Sequence, residues 1–132
     1  MRKIKEIIIH CSATKEDVDF DINDIRRWHV EENGWEDVGY HYFIKLDGTI
    51  QKGRDIEKQG AHCKGHNRNS IGICYCGGLD SEGKPKDTRT IKQIASMSLL
   101  LNRLKNRFPE ATVHCHNEFA KKACPSFQIY EL

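Results

Sequence analysis

Ile4-Lys5-Glu6-Ile7-Ile8-Ile9-His10-Cys11 is the stretch whose reading decides the fold. Its Ile7-Ile8-Ile9 centre is continuously apolar and β-branched, so the strand it predicts must be covered on both faces and is expected near the middle of a sheet. The run stops at His10, which leaves an imidazole at the strand's C-terminal end. It is also too short for a secretory leader, whose apolar region takes roughly 7–15 residues. No other stretch is long enough to span a membrane, so the protein is expected in the cytoplasm where it is made.

Working outward, Asp21 or Asn23 can cap a helix over Asp24 to Glu32, with Ile25, Trp28 and His29 on one face and Gly34 as its stop. Tyr40 to Lys45 and Thr49 to Lys52 flank Asp47-Gly48, a hairpin signal. Gly60 to Ser70 is rich in Gly, His, Asn and Lys and predicts an exposed loop. Ile71 to Cys76 predicts another strand. Thr88 or Thr90 can cap a long helix to about Arg107, with Ile91, Ile94, Ala95, Leu99, Leu101 and Leu104 as its apolar stripe. Ala111 to Cys115 is a last strand, ending beside His116.

Strand, helix, hairpin, strand, helix, strand is the order of an α/β domain with a central mixed β-sheet flanked by helices. A chain of 132 residues suits one domain spanning 1–132. Charged residues make up 30% of it, but they balance to only +2, which argues against a nucleic-acid partner held by phosphate neutralisation. The six cysteines, with no leader, are expected as free thiols, mostly small buried hydrophobes. Ligands of open α/β sheets collect at the carboxyl ends of strands, and His10 and His116 both lie there.

Two imidazoles, one thiolate and an open fourth position make a catalytic zinc site. The candidates are far apart in sequence, so composition alone is a weak signal for it. The signal sharpens because nearly the whole chain resembles the type 2 N-acetylmuramoyl-L-alanine amidases, the family shared by phage lysins and peptidoglycan recognition proteins. The resemblance is carried in order by Ile9-His10-Cys11-Ser12-Ala13-Thr14, Asp37-Val38-Gly39-Tyr40-His41-Tyr42, Asp47-Gly48-Thr49, Gly53-Arg54, Gly60-Ala61-His62-Cys63-Lys64-Gly65-His66-Asn67, Asn69-Ser70-Ile71-Gly72-Ile73 and Lys122-Ala123-Cys124-Pro125-Ser126-Phe127.

The resemblance implies one zinc ion on His10, His116 and Cys124, catalytic roles for Tyr40 and Lys122, and substrate contacts from His62, His66 and Asn67. His114 would share a strand face with His116, so it stands as the alternative second ligand. His41 is either a partner orienting a ligand or water, or an ordinary strand histidine. By residue type alone, Tyr40 is a core or rim aromatic and Lys122 a solvated charge. The implied activity is hydrolysis of the amide between the lactyl group of N-acetylmuramic acid and L-alanine in peptidoglycan, reached after release or by non-classical export. Its rivals are a module that binds the wall without cutting it and a closed structural zinc completed by Cys115 or His114.

Overall fold

The computed structural model describes residues 2–132. β1 (Glu6–Cys11), β2 (Thr14–Lys15), α1 (Ile22–Arg27), β3 (Tyr42–Ile44), β4 (Ile50–Lys52), β5 (Ser70–Tyr75), β6 (Gly78–Leu79), α2 (Ile91–Arg107) and β7 (Thr112–Cys115) follow one another along the chain. Five strands form a mixed sheet in the order β4-β3-β5-β1-β7, and β2 and β6 pair separately. β1 runs parallel to both β5 and β7, while β4 closes an antiparallel hairpin on β3. The centre therefore falls to β5, every residue of which is buried, and β1 stands one place aside. Two fully apolar runs compete for the middle, and only their pairing partners decide between them.

Alternation along the strands builds two cores. Ile7, Ile9, Cys11, Ile71, Ile73, Tyr75 and Ile44 pack beneath Met97, Leu100, Leu101 and Leu104 of α2. Phe43, Cys74 and Cys76 meet Ile22 and Ile25 of α1, with Val38, on the other face. Helices thus cover the sheet from both sides, as the unbroken apolar strands require. All six cysteines are free, and all but Cys124 are buried.

Asp21 is the residue that caps α1. Its carboxylate accepts from Asp24 N–H at 3.0 Å, and the Asp24 carboxylate accepts from Asp21 N–H at 3.0 Å. The helix widens to a π turn over Trp28–Glu32 and is followed by Gly34 at φ +70°. In the hairpin, Gly48 sits at φ +88°, and a Cβ there would lie 2.9 Å from the Lys92 carbonyl of α2. Thr90 caps α2 through a reciprocal pair with Gln93.

The apolar stripe expected on α2 is rotated from the one observed. Gln93, Met97, Leu100, Leu101 and Leu104 face the sheet, while Ile91 is 87% exposed and Ile94 and Leu99 are nearly half exposed. The buried set has the regular i, i+4, i+7, i+8, i+11 spacing of one helix face. A polar residue belongs in it because Gln93 Nε2 donates to the carbonyls of Ile44 (3.3 Å) and Cys76 (3.0 Å), where β3 and β5 end. Buried carbonyls need donors, and this requirement outweighs side-chain hydropathy in setting the helix rotation. Among the described residues no helix is long and apolar enough to cross a membrane.

Candidate metal centre and catalytic groove

Three segments bring the site together. His10 follows Ile9 at the end of β1 and is 1% exposed, while His116 begins a 3₁₀ turn directly after β7 and is 8% exposed. Cys124 comes from the irregular tail, which is tied down at several points. Cys11 N–H donates to Cys124 Sγ at 3.2 Å, Tyr75 Oη donates to the Pro125 carbonyl at 2.6 Å, Ser126 Oγ to the Gly78 carbonyl at 2.7 Å, and Asn117 Nδ2 to the Phe127 carbonyl at 2.9 Å. The ligand atoms that His10, His116 and Cys124 offer all lie within 4.8 Å of one another. His10 turns Nδ1 toward the thiol, 3.9 Å from Cys124 Sγ.

The donor chemistry suits a borderline cation such as zinc. Among the described residues, His116 Nδ1 is the buried side-chain polar atom left without a hydrogen-bond partner. Such an atom is costly to bury unless something else satisfies it. Burial, then the neighbouring His62, His116 and Lys122, hold His10 well below the usual histidine range, and burial and Lys122 lower His116. Both rings are therefore neutral donors at neutral pH. The Cys124 thiol is pushed up by its hydrogen-bonded neighbour Cys11 and by burial. It stays protonated until a cation compensates the thiolate.

His114 does not enter the cluster. Its Nε2 lies 2.7 Å from Thr112 Oγ1 and its Nδ1 3.1 Å from Glu118 Oε1, so both nitrogens are committed. The strand alternation that pairs His114 with His116 ends at Cys115, where the chain turns into the 3₁₀ helix. Cys115 is fully buried in the core beneath α2 and is also outside the cluster. Among the described residues the cluster has three members, one fewer than a closed structural zinc site uses.

A groove of about 690 Å³ opens over the cluster, lined by His29, Trp35, Tyr40, His116, Phe119 and Lys122 among others. The Tyr40 ring packs 5.1 Å from that of His10, and burial and the nearby thiols raise its phenol well above the ordinary tyrosine range. Tyr40 is accordingly a donor. Lys122 is exposed at the rim, close enough for its charge to lower His10 and His116. Trp35 and Phe119 are groove walls that sequence reasoning passed over. Trp35 was discoverable as an aromatic beside the Gly34 helix stop, in a segment otherwise polar.

The 60–69 loop closes one side of the groove. Asn67 Oδ1 accepts from His62 N–H and Cys63 N–H, each at 2.9 Å, which fixes the loop's shape. His66 lies outside the main groove, stacked on Phe119 at 3.9 Å with Nδ1 2.9 Å from Glu6 Oε1, and it borders an adjoining cavity of about 400 Å³. His62 borders the main groove, but Nδ1 is 2.8 Å from His10 Nε2 and Nε2 is 3.1 Å from Ser70 Oγ. His41 pins β5 to the loop after β4: Gly72 N–H donates to its Nδ1 at 3.0 Å, and its Nε2–H donates to the Lys58 carbonyl at 2.8 Å.

Fold and site together define an α/β domain with a cluster able to hold a metal ion at the carboxyl ends of its strands. The family model for N-acetylmuramoyl-L-alanine amidase matches residues 1–127, and the chain belongs to that family, as an amidase of peptidoglycan. It is 47% identical over 123 residues to the endolysin of Escherichia phage T7, covering 93% of this chain and 81% of that protein. It is 41% identical over 128 residues to the endolysin of Enterobacteria phage K11, covering 97% of this chain and 84% of that one. The structure matches the N-acetylmuramoyl-L-alanine amidase LysC from Clostridium intestinale with a TM-score of 0.83 at 26% identity, over 98% of this chain and 82% of that one. It also matches bumblebee peptidoglycan recognition protein SA with a TM-score of 0.80 at 25% identity, over 95% and 77%.

Proposed function

We propose that the protein is a zinc-dependent hydrolase of the amide joining the lactyl group of N-acetylmuramic acid to L-alanine of the stem peptide. The observation that carries this reading is the convergence of His10, His116 and Cys124 within 4.8 Å beneath an open groove. His10 Nδ1, the His116 ring and Cys124 Sγ would hold the ion. When bound, zinc supplies Lewis acidity toward the scissile carbonyl and lowers the pKa of water to about 7.

The chain's own residues do the rest. The Lys122 ammonium at the groove rim offsets the negative charge that builds on the carbonyl oxygen during attack. Tyr40, kept protonated, presents Oη–H to the attacking water or to the departing alanine nitrogen, which must gain a proton to leave as an amine. Trp35 and Phe119 exclude water from the groove walls and offer apolar faces to the substrate. The 60–69 loop, whose His62 and Asn67 line the groove, would border the stem peptide, with His66 set aside in the adjoining cavity.

Purified peptidoglycan incubated with zinc-loaded protein should yield stem peptides with a free alanine amine, detected by mass spectrometry. Cys124→Ser should abolish them. Intact glycan–peptide linkages with a folded, zinc-bound wild type would overturn the activity and leave a wall-binding module.

A further inference from the structure

His62 is more tightly built in than a substrate-contacting loop residue needs to be. Its ring sits between two glycines: a Cβ at Gly72 would lie 2.7–2.9 Å from His62 ring atoms, and one at Gly60 would lie 2.8 Å from His62 Cδ2. Contacts under 3.0 Å are not tolerated by real Cβ atoms, so Gly72 in the central strand and Gly60 in the loop both make room for the imidazole. The ring then stands edge-on to His10, with centroids 4.8 Å apart.

The hydrogen-bond directions follow from what His10 must do. His10 Nδ1 faces the thiol of Cys124, and to bind a cation there it must present a lone pair. Its proton then resides on Nε2, which lies 2.8 Å from His62 Nδ1. His62 Nδ1 accepts that proton's hydrogen bond, which puts the His62 proton on Nε2, donating to Ser70 Oγ at 3.1 Å. Ser70 is fully buried, so this acceptor does not exchange with solvent. Metal-bound histidines commonly give their second N–H to a carboxylate or carbonyl, which fixes the tautomer and orients the ring. Here a second histidine fills that place.

Resting on the zinc reading above, we propose that His62 is a positioning residue for His10. The Ser70–His62–His10 chain selects the His10 tautomer whose Nδ1 is free for the ion, and it preorganises the cluster before the ion arrives. The role expected of His62 as a substrate contact gives way to one exerted through the metal centre.

The test compares His62→Leu, which removes the acceptor, with His62→Asn, whose Oδ1 falls near the position of Nδ1 and retains it. Zinc affinity is measured by competition with a chromogenic chelator, and the cobalt-substituted proteins are compared by their visible spectra. His62→Leu should bind zinc about 10–100-fold more weakly and show an altered cobalt spectrum. His62→Asn should stay within about threefold of wild type, as a retained acceptor predicts. Equal losses in both variants, or wild-type affinity in His62→Leu with only KM raised, would overturn the positioning role and return His62 to substrate contact. Should His62→Leu not fold, Ser70→Ala carries the test: a severalfold drop in affinity is expected, and an unchanged value overturns the chain. A wild type that binds no zinc overturns the metal reading itself, which separates the two failures.

Discussion

Acid should destabilise the metal-free protein through His41, and the size of the effect follows from its surroundings. His41 is 1% exposed, and burial lowers its pKa from 6.5 to about 4. Protonation would place a hydrogen on Nδ1 against the Gly72 N–H and a charge near the Arg2 guanidinium, which stands 3.3 Å from Nε2. In the unfolded chain the same ring takes up a proton as pH falls through 6.5. The unfolded state therefore binds more protons between pH 6.5 and about 4, and stability rises with pH across that window. A shift from 6.5 to about 4 corresponds to roughly 3 kcal/mol, complete above the upper value and lost by the lower one.

The check is urea unfolding in chelator at several pH values from 7.5 to 4.5, with His41→Asn alongside. Asn retains an acceptor for Gly72 N–H and cannot take the proton. His62, whose pKa burial lowers to about 3, loses stability in the same window and does so in both proteins. The difference therefore reads His41 together with its electrostatic effect on the neighbouring His62. Wild type should lose about 1.4 kcal/mol per pH unit more than the variant between pH 6 and 4.5. Parallel stability curves would refute the assignment of His41 as a buried neutral pin.

Zinc binding at neutral pH should release about one proton, from Cys124, because the two imidazoles are already neutral; calorimetry in buffers of different ionisation enthalpy measures it, and a release near zero or of two or more contradicts the site's electrostatics. Tyr75→Phe, which frees the Pro125 carbonyl, should cost about 1 kcal/mol and weaken zinc by loosening the Cys124 segment. Stability loss without any change in zinc affinity would separate that anchor from the site. Tyr40→Phe and Lys122→Met should each lower kcat by about 10²-fold or more while zinc affinity holds; a fall in affinity alone would place them in the metal cluster. On α2, Met97→Ala should cost about 2–5 kcal/mol and Ile91→Lys less than about 0.5, a contrast that thermal unfolding reads directly and that equal losses would refute.

Much of the fold was legible because it rests on local patterns. The Ile7-Ile8-Ile9 run, the Asp47-Gly48 turn and the caps at Asp21 and Thr90 each act over a few residues, where backbone geometry and side-chain chemistry decide the outcome. The rotation of α2 was not legible, since it depends on two carbonyls at the ends of strands nearly fifty and about twenty residues away. The site divides the same way. The order of its motifs pointed to the family and, through that resemblance, to His10, His116 and Cys124, whose ligand atoms the fold brings within 4.8 Å of one another.

Which of His114 and His116 joins them could only be decided by where β7 stops, and strand pairing sets that point. The bond from His10 to His62 was equally hidden, for it spans 52 residues and exists only when Gly72 of β5 and Gly60 of the loop both leave space for one ring. Sequence by itself determined the local elements, which short-range forces fix, and the ordered motifs that mark the family. Tertiary structure alone decided direction: which nitrogen of His10 faces the Cys124 thiol, which faces His62, and which helix face is buried. Those choices depend on atoms that become neighbours only after the sheet has formed.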